Sequence, residues 1–397
     1  MSPAFKRLET KVVRAGAPSP RIEGAVVTPI FQSAMFEYAG ETSYHDLKYI
    51  RLNNTPTHVA LHAKLAAIES ADAALVTASG MAAISTTLLT VLAPGDHLLA
   101  QDCVYGGTHD LLSHELAELG IHTDFVDADD PESWQARLRP KTRAIYVESL
   151  TNPLLQVADL EAVVRFARAH GLVSIIDNTF TTPVNFRPIE HGFDLVLHSG
   201  TKYLNGHSDI VAGAVAGSTA WIERITHRLN HLGGSLDPHA CFLLDRGLKT
   251  LVLRVRHQNQ SAQLVAERLA QHPAIARVNY AGLESHPRHR RARHLFDGFS
   301  GMLSFELHGG AEAAERFIDQ TTLPIVAPSL GGPETLLTRP ALTSHAGLDP
   351  AERRRIGIND GLIRMSVGLE APEEIVEDLL QALDVTAVAG AGRPAAD

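Results

Sequence analysis

In the stretch VLHSGTKYLNGHSDIVAGAV, Val196 to Val215, one lysine, Lys202, stands among Ser, Gly, Thr and His just after an apolar run. Lysine is scarce in this chain: the others are Lys6, Lys11, Lys48, Lys64, Lys141 and Lys249, and arginine carries most of the positive charge. Asp177 closes an earlier apolar run, LVSIID. An amine and a carboxylate that reach one rim suit Schiff-base chemistry. The amine condenses with a carbonyl cofactor, and the carboxylate keeps a pyridinium nitrogen protonated; pyridoxal phosphate (PLP) needs both. The plain alternatives are a solvated loop lysine and an aspartate that caps the next turn.

A phosphate-bearing cofactor also needs an anion cradle. TASGMAAIS puts small residues at a strand end and begins a helix near Gly80 or Met81, where free backbone N–H groups point at an anion. Ser199 and Thr201, beside Lys202, add hydroxyl donors. Ser-Gly before a helix also reads simply as an N-cap. Tyr105, in DCVYGGTHDLL, falls just past another strand end. Its ring suits stacking on a flat cofactor and its hydroxyl a proton relay, or else it packs as a turn tyrosine over Gly106 and Gly107.

The elements that must position these residues follow an alternating pattern. AALVTAS, DHLLAQD, RAIYVES, LVSIID and FDLVLHS read as strands, and MAAISTTLLTVLA, THDLLSHELAELG and LEAVVRFARAHG, with apolar spacing near 3.6, read as helices. That order predicts a mostly parallel α/β sheet with ligands beyond the carboxyl ends of its strands. The expected organisation is an N-terminal arm (1–56), a cofactor domain (57–256), a smaller C-terminal α/β domain (257–385) with strands MLSFEL and LIRMSVG, and a tail (386–397) too poor in large apolar groups to bury itself. No internal repeat is evident.

The 397 residues allow a large core, and a formal charge of −10 argues against nucleic acid or an anionic membrane as the main partner. Cys103 and Cys241 cannot build a disulfide framework, no leader pattern opens the chain, and no apolar run reaches membrane-span length, so a reduced cytoplasmic setting is expected. ESHPRHRRARH lacks acidic ligands for a metal and reads as a solvated helix; no metal site is expected.

Taken together, these motifs resemble the Cys/Met-metabolism family of PLP enzymes, the cystathionine lyases and synthases, methionine γ-lyase and homoserine sulfhydrylases, from about Thr28 to Leu383. The resemblance implies PLP fold type I, aspartate aminotransferase-like, and a homotetramer built as a dimer of dimers. It implies that YIRLNNTPT supplies Tyr49 and Arg51 to a neighbouring subunit's phosphate, that Gly80 and Met81 form the phosphate loop, and that Tyr105 stacks on the cofactor. It further implies that Asn152 contacts the cofactor, Asp177 pairs with its pyridinium, Ser199 and Thr201 touch the phosphate, and Lys202 carries the Schiff base. Ser329 and Arg364 would bind the substrate carboxylate, a task that suits arginine's planar fork.

The implied reaction is elimination, α,γ above all, on a γ-substituted L-amino acid, giving a 2-oxo acid, ammonia and the leaving group, with Lys202 and Tyr105 as catalytic groups. γ-Replacement is the alternative. Methionine γ-lyases characteristically carry a cysteine where this chain has Gly107, and cystathionine γ-lyases and synthases usually carry a glutamate where it has Pro328. NNTPT also replaces the family's usual Gly-Asn-Pro-Thr. A non-sulfur substrate such as canavanine therefore stays open. A nicotinamide enzyme would need a Gly-x-Gly-x-x-Gly turn, which TASGMAA does not provide, and a non-catalytic scaffold would not need Lys202, Asp177, Tyr105 and Arg364 together.

Overall fold

Residues 5–44 and 46–391 are described by the structure, a computed structural model. Seven strands form the first sheet: β1 (Ala73–Thr77), β2 (His97–Gln101), β3 (His122–Val126), β4 (Thr142–Glu148), β5 (Val173–Asp177), β6 (Leu195–Ser199) and β7 (Gly213–Gly217). Their order is β1-β7-β6-β5-β4-β2-β3, and all pairs are parallel except those made by β7. The inner strands β2, β4 and β6 are near-continuous runs of buried side chains, as parallel strands covered on both faces must be.

The sequence pattern misses β3 and β7, for different reasons. HTDFV of β3 is an edge strand whose side chains stay half-exposed, so its apolar signal is thin. GAVAG of β7 has almost no side chains because its neighbours leave no room. A Cβ on Gly213 would stand 2.1 Å from the Ser79 carbonyl oxygen and 2.4 Å from Thr77 Oγ1.

Helices form where the 3.6 periodicity and caps predict them. Helix α1 (Leu8–Arg14) packs on α2 (Pro56–Glu69), whose Thr55 cap accepts from the His58 N–H. Helix α3 (Gly80–Val91) packs on β6 and β7. The helix Leu160–His170 ends at Gly171, whose φ of +64° serves as a left-handed cap. THDLLSHELAELG is helical too, but it starts with α4 (Gly106–Asp110) and widens into a π-turn at Leu111–Glu115.

The chain divides into two compact units. Residues 1–101, 111–149 and 159–253 make the first; residues 102–110, 150–158 and 254–397 make the second. The loops after β2 and β4 belong to the second unit, and the residues that precede α2 belong to the first. Between α1 and α2 the arm leaves large side chains exposed, Met35 at 75% and Tyr38 at 68%.

In the second unit, β8 (Ile275–Asn279), β9 (Met302–Leu307), β10 (Ile325–Val326), β11 (Leu336–Thr338) and β12 (Leu362–Ser366) are ordered β10-β11-β12-β9-β8, antiparallel except for β10 with β11. The helices Gly310–Gln320 and Pro372–Ala391 pack together, and Phe317 meets Phe305 edge-on at 5.6 Å in their core. The second helix runs to Ala391, into the stretch read as a loose tail, because its alanine-rich end favours helix without needing burial. Residues 392–397 lie outside the described residues. No described helix is long and apolar enough to cross a membrane.

Candidate active site

In the first unit the chemistry gathers at the carboxyl ends of β5 and β6. Asp177 ends β5 opposite Leu197 of β6, and Ser199 ends β6. Lys202 sits in the turn that follows, where its N–H donates to the Ser199 carbonyl at 3.2 Å and its own carbonyl accepts from the Gly206 N–H at 2.7 Å. Buried Tyr203 and Leu204 anchor that turn. Thr201 locks its other side: Oγ1 accepts from the Ala212 N–H at 3.0 Å and donates to the Ala212 carbonyl at 3.2 Å. Lys202 is thereby held on a rigid support, which the bare sequence could not distinguish from a solvated loop.

The phosphate-loop expectation meets a tight geometry. Ser79 caps α3, accepting from the Ala82 N–H at 3.0 Å, so the Gly80 and Met81 N–H groups lead the helix with no partner in it. Gly80 abuts Ser199: a Cβ there would lie 2.9 Å from Ser199 Cβ and 3.0 Å from its Oγ. Helix N-terminus and serine hydroxyl therefore share one cradle that a side chain at position 80 would fill.

Asp177 Oδ1 accepts from the Thr179 N–H at 2.9 Å. Loss of water pushes its carboxyl up, while the Thr179 hydrogen bonds and the nearby His198 pull it down. A cationic N–H against it would relieve the dominant cause, and a protonated pyridine nitrogen is such a group. The anion cradle, the amine and this carboxyl together fit PLP.

Tyr49 and Arg51 lie elsewhere in the unit. The Arg51 guanidinium carbon is 5.6 Å from the Tyr49 ring centre, and its nitrogens donate to the Asn230 carbonyl at 2.8 Å and the Tyr44 hydroxyl. Tyr49 and Arg51 thus meet each other.

The second unit holds the remaining residues. Arg364, at the centre of β12 and 5% exposed, donates through Nη1 to Asn152 Oδ1 and through Nη2 to the Ser329 carbonyl, both at 3.0 Å. Ser329 adopts φ +88°, a conformation that costs energy in a non-glycine residue and clusters at binding sites. These two bonds fix the orientation of the arginine fork. Tyr105 is 41% exposed, and its ring lies over Gly107, where a Cβ would come within 2.7 Å of Cε1. Gly106 is pressed against the Ser344 carbonyl, 1.8 Å from a would-be Cβ.

Sequence reasoning missed the residues behind these. His345 is buried, and desolvation above all, with the charges of Arg364, His109 and Arg353, lowers it to about 4. Glu69 Oε1 and His198 Nε2 lie 2.5 Å apart, both side chains buried, in the first unit. The signal was present for His198, a polar residue inside the apolar strand LVLHS, but nothing in the sequence shows its partner. Among the described residues, no cluster of His, Cys, Asp and Glu could hold a metal ion.

Comparison with known proteins adds a family context. The family model described as "Cys/Met metabolism PLP-dependent enzyme" matches residues 9–384. An L-methionine γ-lyase of Pseudomonas putida is 42% identical over 392 residues, covering 95% of this chain and 97% of that protein. A cystathionine γ-lyase of Bacillus subtilis is 40% identical over 377 residues, covering 95% and 99%. Cystathionine β-lyases and a probable cystathionine γ-synthase are similar as well. Among solved structures, a cystathionine γ-lyase from Lactobacillus plantarum complexed with L-serine superposes with a TM-score of 0.92 at 36% identity, covering 96% of this chain and all of that one.

Proposed function

This chain belongs to the Cys/Met metabolism PLP-dependent enzyme family, and from that premise we propose that it catalyses α,γ-elimination on a γ-substituted L-amino acid. It is a PLP-dependent lyase of the trans-sulfuration type with a small amino-acid substrate; the γ-position of the leaving group is our reading. The observation that carries the amino-acid part is Arg364, a nearly buried guanidinium whose fork is already oriented by Asn152 and the Ser329 carbonyl.

When bound, PLP supplies an aldehyde that captures an amine and a ring that accepts an electron pair. Gly80, Met81, Ser199 and Thr201 would hold its phosphate, and Asp177 would keep its ring nitrogen protonated. Lys202 would anchor the cofactor through Nζ, and its freed amine would serve as the base for the Cα proton. Arg364 would bind the α-carboxylate bidentately. For γ-elimination a Cβ proton must leave too, and Lys202 Nζ could take it only after giving up the Cα proton. The Tyr105 hydroxyl protonates the departing γ-substituent. Asn152 acts by holding Arg364.

Pro328 is exposed and brings no charge to meet a distal ammonium, which counts against cystathionine as the substrate. Tyr49 and Arg51 would serve a neighbour's phosphate in a homotetramer, a dimer of dimers; the reading rests on the family membership and on the half-exposed Tyr49 ring.

The test is a substrate panel of methionine, homocysteine, cystathionine, O-acetylhomoserine and canavanine, assayed for the oxo acid formed and in deuterated water for label at Cβ. 2-Oxobutanoate with Cβ label establishes α,γ-elimination. Pyruvate from cystathionine would instead mean β-elimination, and labelled, unconverted substrate that reacts only with an added nucleophile would mean replacement. Lys202→Ala should abolish the visible absorbance of the holoenzyme and all turnover.

A further inference from the structure

In the second unit one buried amide stands where its helix asks for an apolar side chain. The buried face of the helix Leu251–Gln271 runs Val255, Ala262, Val265 and Leu269, and Gln258, 0% exposed, fills the gap in that stripe. Its Nε2 donates to the Gly332 carbonyl at 2.9 Å and to the Val367 carbonyl at 3.2 Å. Its Oε1 is buried with no hydrogen-bond partner among the described residues. An amide left half satisfied carries a cost that an apolar side chain of the same length would not. Packing alone therefore does not account for a glutamine at this place.

The amide joins the loop that carries Ser329 to the strand end that carries Arg364. Gly332 closes the run SLGG that begins at Ser329, and Val367 directly follows β12. The same two segments are laced at further points. Buried Ser366 accepts through Oγ from the Gly331 N–H at 2.8 Å, the Pro333 carbonyl accepts from the Leu369 N–H at 2.7 Å, and Thr335 Oγ1 accepts from the Gly368 N–H at 2.9 Å. They lie so close at Gly368 that a Cβ there would stand 2.3 Å from the Pro333 carbonyl oxygen. Gln258 adds a third element to this pair of segments, the helix, and so fixes both to the body of the unit.

Ser329, at the head of the loop, needs that support. Its φ of +88° is costly for a side-chain-bearing residue and persists only where the surroundings over-determine it. In this conformation its carbonyl accepts from Arg364 Nη2 at 3.0 Å. A loop released to relax would turn the carbonyl away, and one of the two bonds that orient the guanidinium would be lost.

We propose that Gln258 is a positioning residue for the substrate-carboxylate site: its amide pins the Ser329–Gly332 loop to the helix Leu251–Gln271 and thereby holds the Ser329 carbonyl against Arg364. Having no exposed surface, Gln258 acts through the loop and not on the substrate. This inference rests on the reading of Arg364 as the α-carboxylate site, so its test must separate the two.

Glycine and glycinamide make the separation, since both offer an amine and only glycine offers a carboxylate. Holoenzymes of wild type, Gln258→Met, Ser366→Ala and Arg364→Gln are titrated with each, and binding is read from the change in the visible absorbance of the cofactor. Arg364→Gln should weaken glycine strongly and leave glycinamide as in wild type. Gln258→Met, close in length but without a donor, should weaken glycine about 10- to 100-fold, the weight of one hydrogen bond to a charged group, with glycinamide unchanged. For the substrate found in the panel it should raise KM by a similar factor, with kcat little changed. Ser366→Ala removes the side-chain tie at Gly331 and carries the same prediction if Gln258→Met does not fold. Wild-type glycine affinity in the folded variant, or equal weakening of glycine and glycinamide, overturns the role of Gln258 while Arg364→Gln upholds the premise. A glycine affinity that falls no more than that of glycinamide in Arg364→Gln overturns the premise and the inference together.

Discussion

At the scale of the residue, Asp177 carries a desolvation cost that the cofactor would remove under the proposed function. The unfolded chain ionises this carboxyl in the ordinary range, near pH 4, whereas loss of water raises it in the folded apoprotein. The folded state then binds the proton more tightly than the unfolded state, so apoenzyme stability falls as pH rises through that raised value and is unaffected well below the ordinary one. Asp177→Asn should therefore raise the apoenzyme Tm at pH 8 by about 2–4 °C and leave it unchanged near pH 3, while holoenzyme activity is lost. Equal Tm shifts at both pH values would show that desolvation of the carboxylate is not the cause. Asp177 itself was legible in the sequence as a strand-end acid following LVSII. The state of its carboxyl was not, because burial and His198 are set by α2 and β6, which are remote from it in the chain.

At the scale of the element, the site depends on two backbone approaches that only glycine permits. Gly80 begins α3 against Ser199, and Gly213 of β7 lies against Ser79 and Thr77, so both sides of the Ser79 cap are packed without a Cβ to spare. Gly80→Ala adds a methyl 2.9 Å from Ser199 Cβ, and helix and strand must separate by several tenths of an ångström. Overpacking of this kind costs about 1–3 kcal/mol. Because the strain falls on the cradle, it should appear as PLP affinity weakened by about 5- to 150-fold in a direct titration of apoenzyme, with kcat at saturating PLP largely kept. Unchanged PLP affinity would mean that the cradle tolerates the shift. The same closeness explains why α3 was readable and β7 was not. A capped helix with apolar spacing announces itself, whereas GAVAG is a strand by virtue of its neighbours and has too little side chain to form a pattern.

At the scale of the whole molecule, histidines buried in the neutral form set the acid limit of both units. Desolvation lowers His62 of the first unit to about 3, and His286 and His345 of the second to about 4, from the ordinary 6.5. Each must stay unprotonated to stay folded, while the unfolded chain protonates it below 6.5; stability is therefore full above that value and declines as pH falls toward 4. His345, 1% exposed, should alone account for about 1–2 kcal/mol of the loss at pH 5, so His345→Gln should flatten the fall of the urea midpoint between pH 7.5 and pH 5 in a cofactor-free preparation. An identical slope in that variant would remove His345 from the account.

The assembly implied by Tyr49 and Arg51 is the last feature of the whole molecule, and it was legible only through resemblance. No spacing rule relates YIRLNN to a phosphate loop, and within one chain Arg51 bonds Asn230 and Tyr44 instead. An exposed arm whose arginine has no anion of its own gains one if a neighbouring subunit presents its α3 N-terminus, where the guanidinium can bind a phosphate that already has helix and serine donors. Arg51→Ala should then weaken PLP retention by about tenfold or more, the loss of roughly one charge-assisted contact of 1.5–3 kcal/mol, while the oligomer measured by sedimentation stays intact. Mixing that variant with Lys202→Ala should give hybrid oligomers in which a site with its own Lys202 receives a neighbour's Arg51. Partial recovery of activity in the mixture supports complementation between subunits, and no recovery at any ratio, with hybrids demonstrably formed, would place Arg51 at its own chain's site.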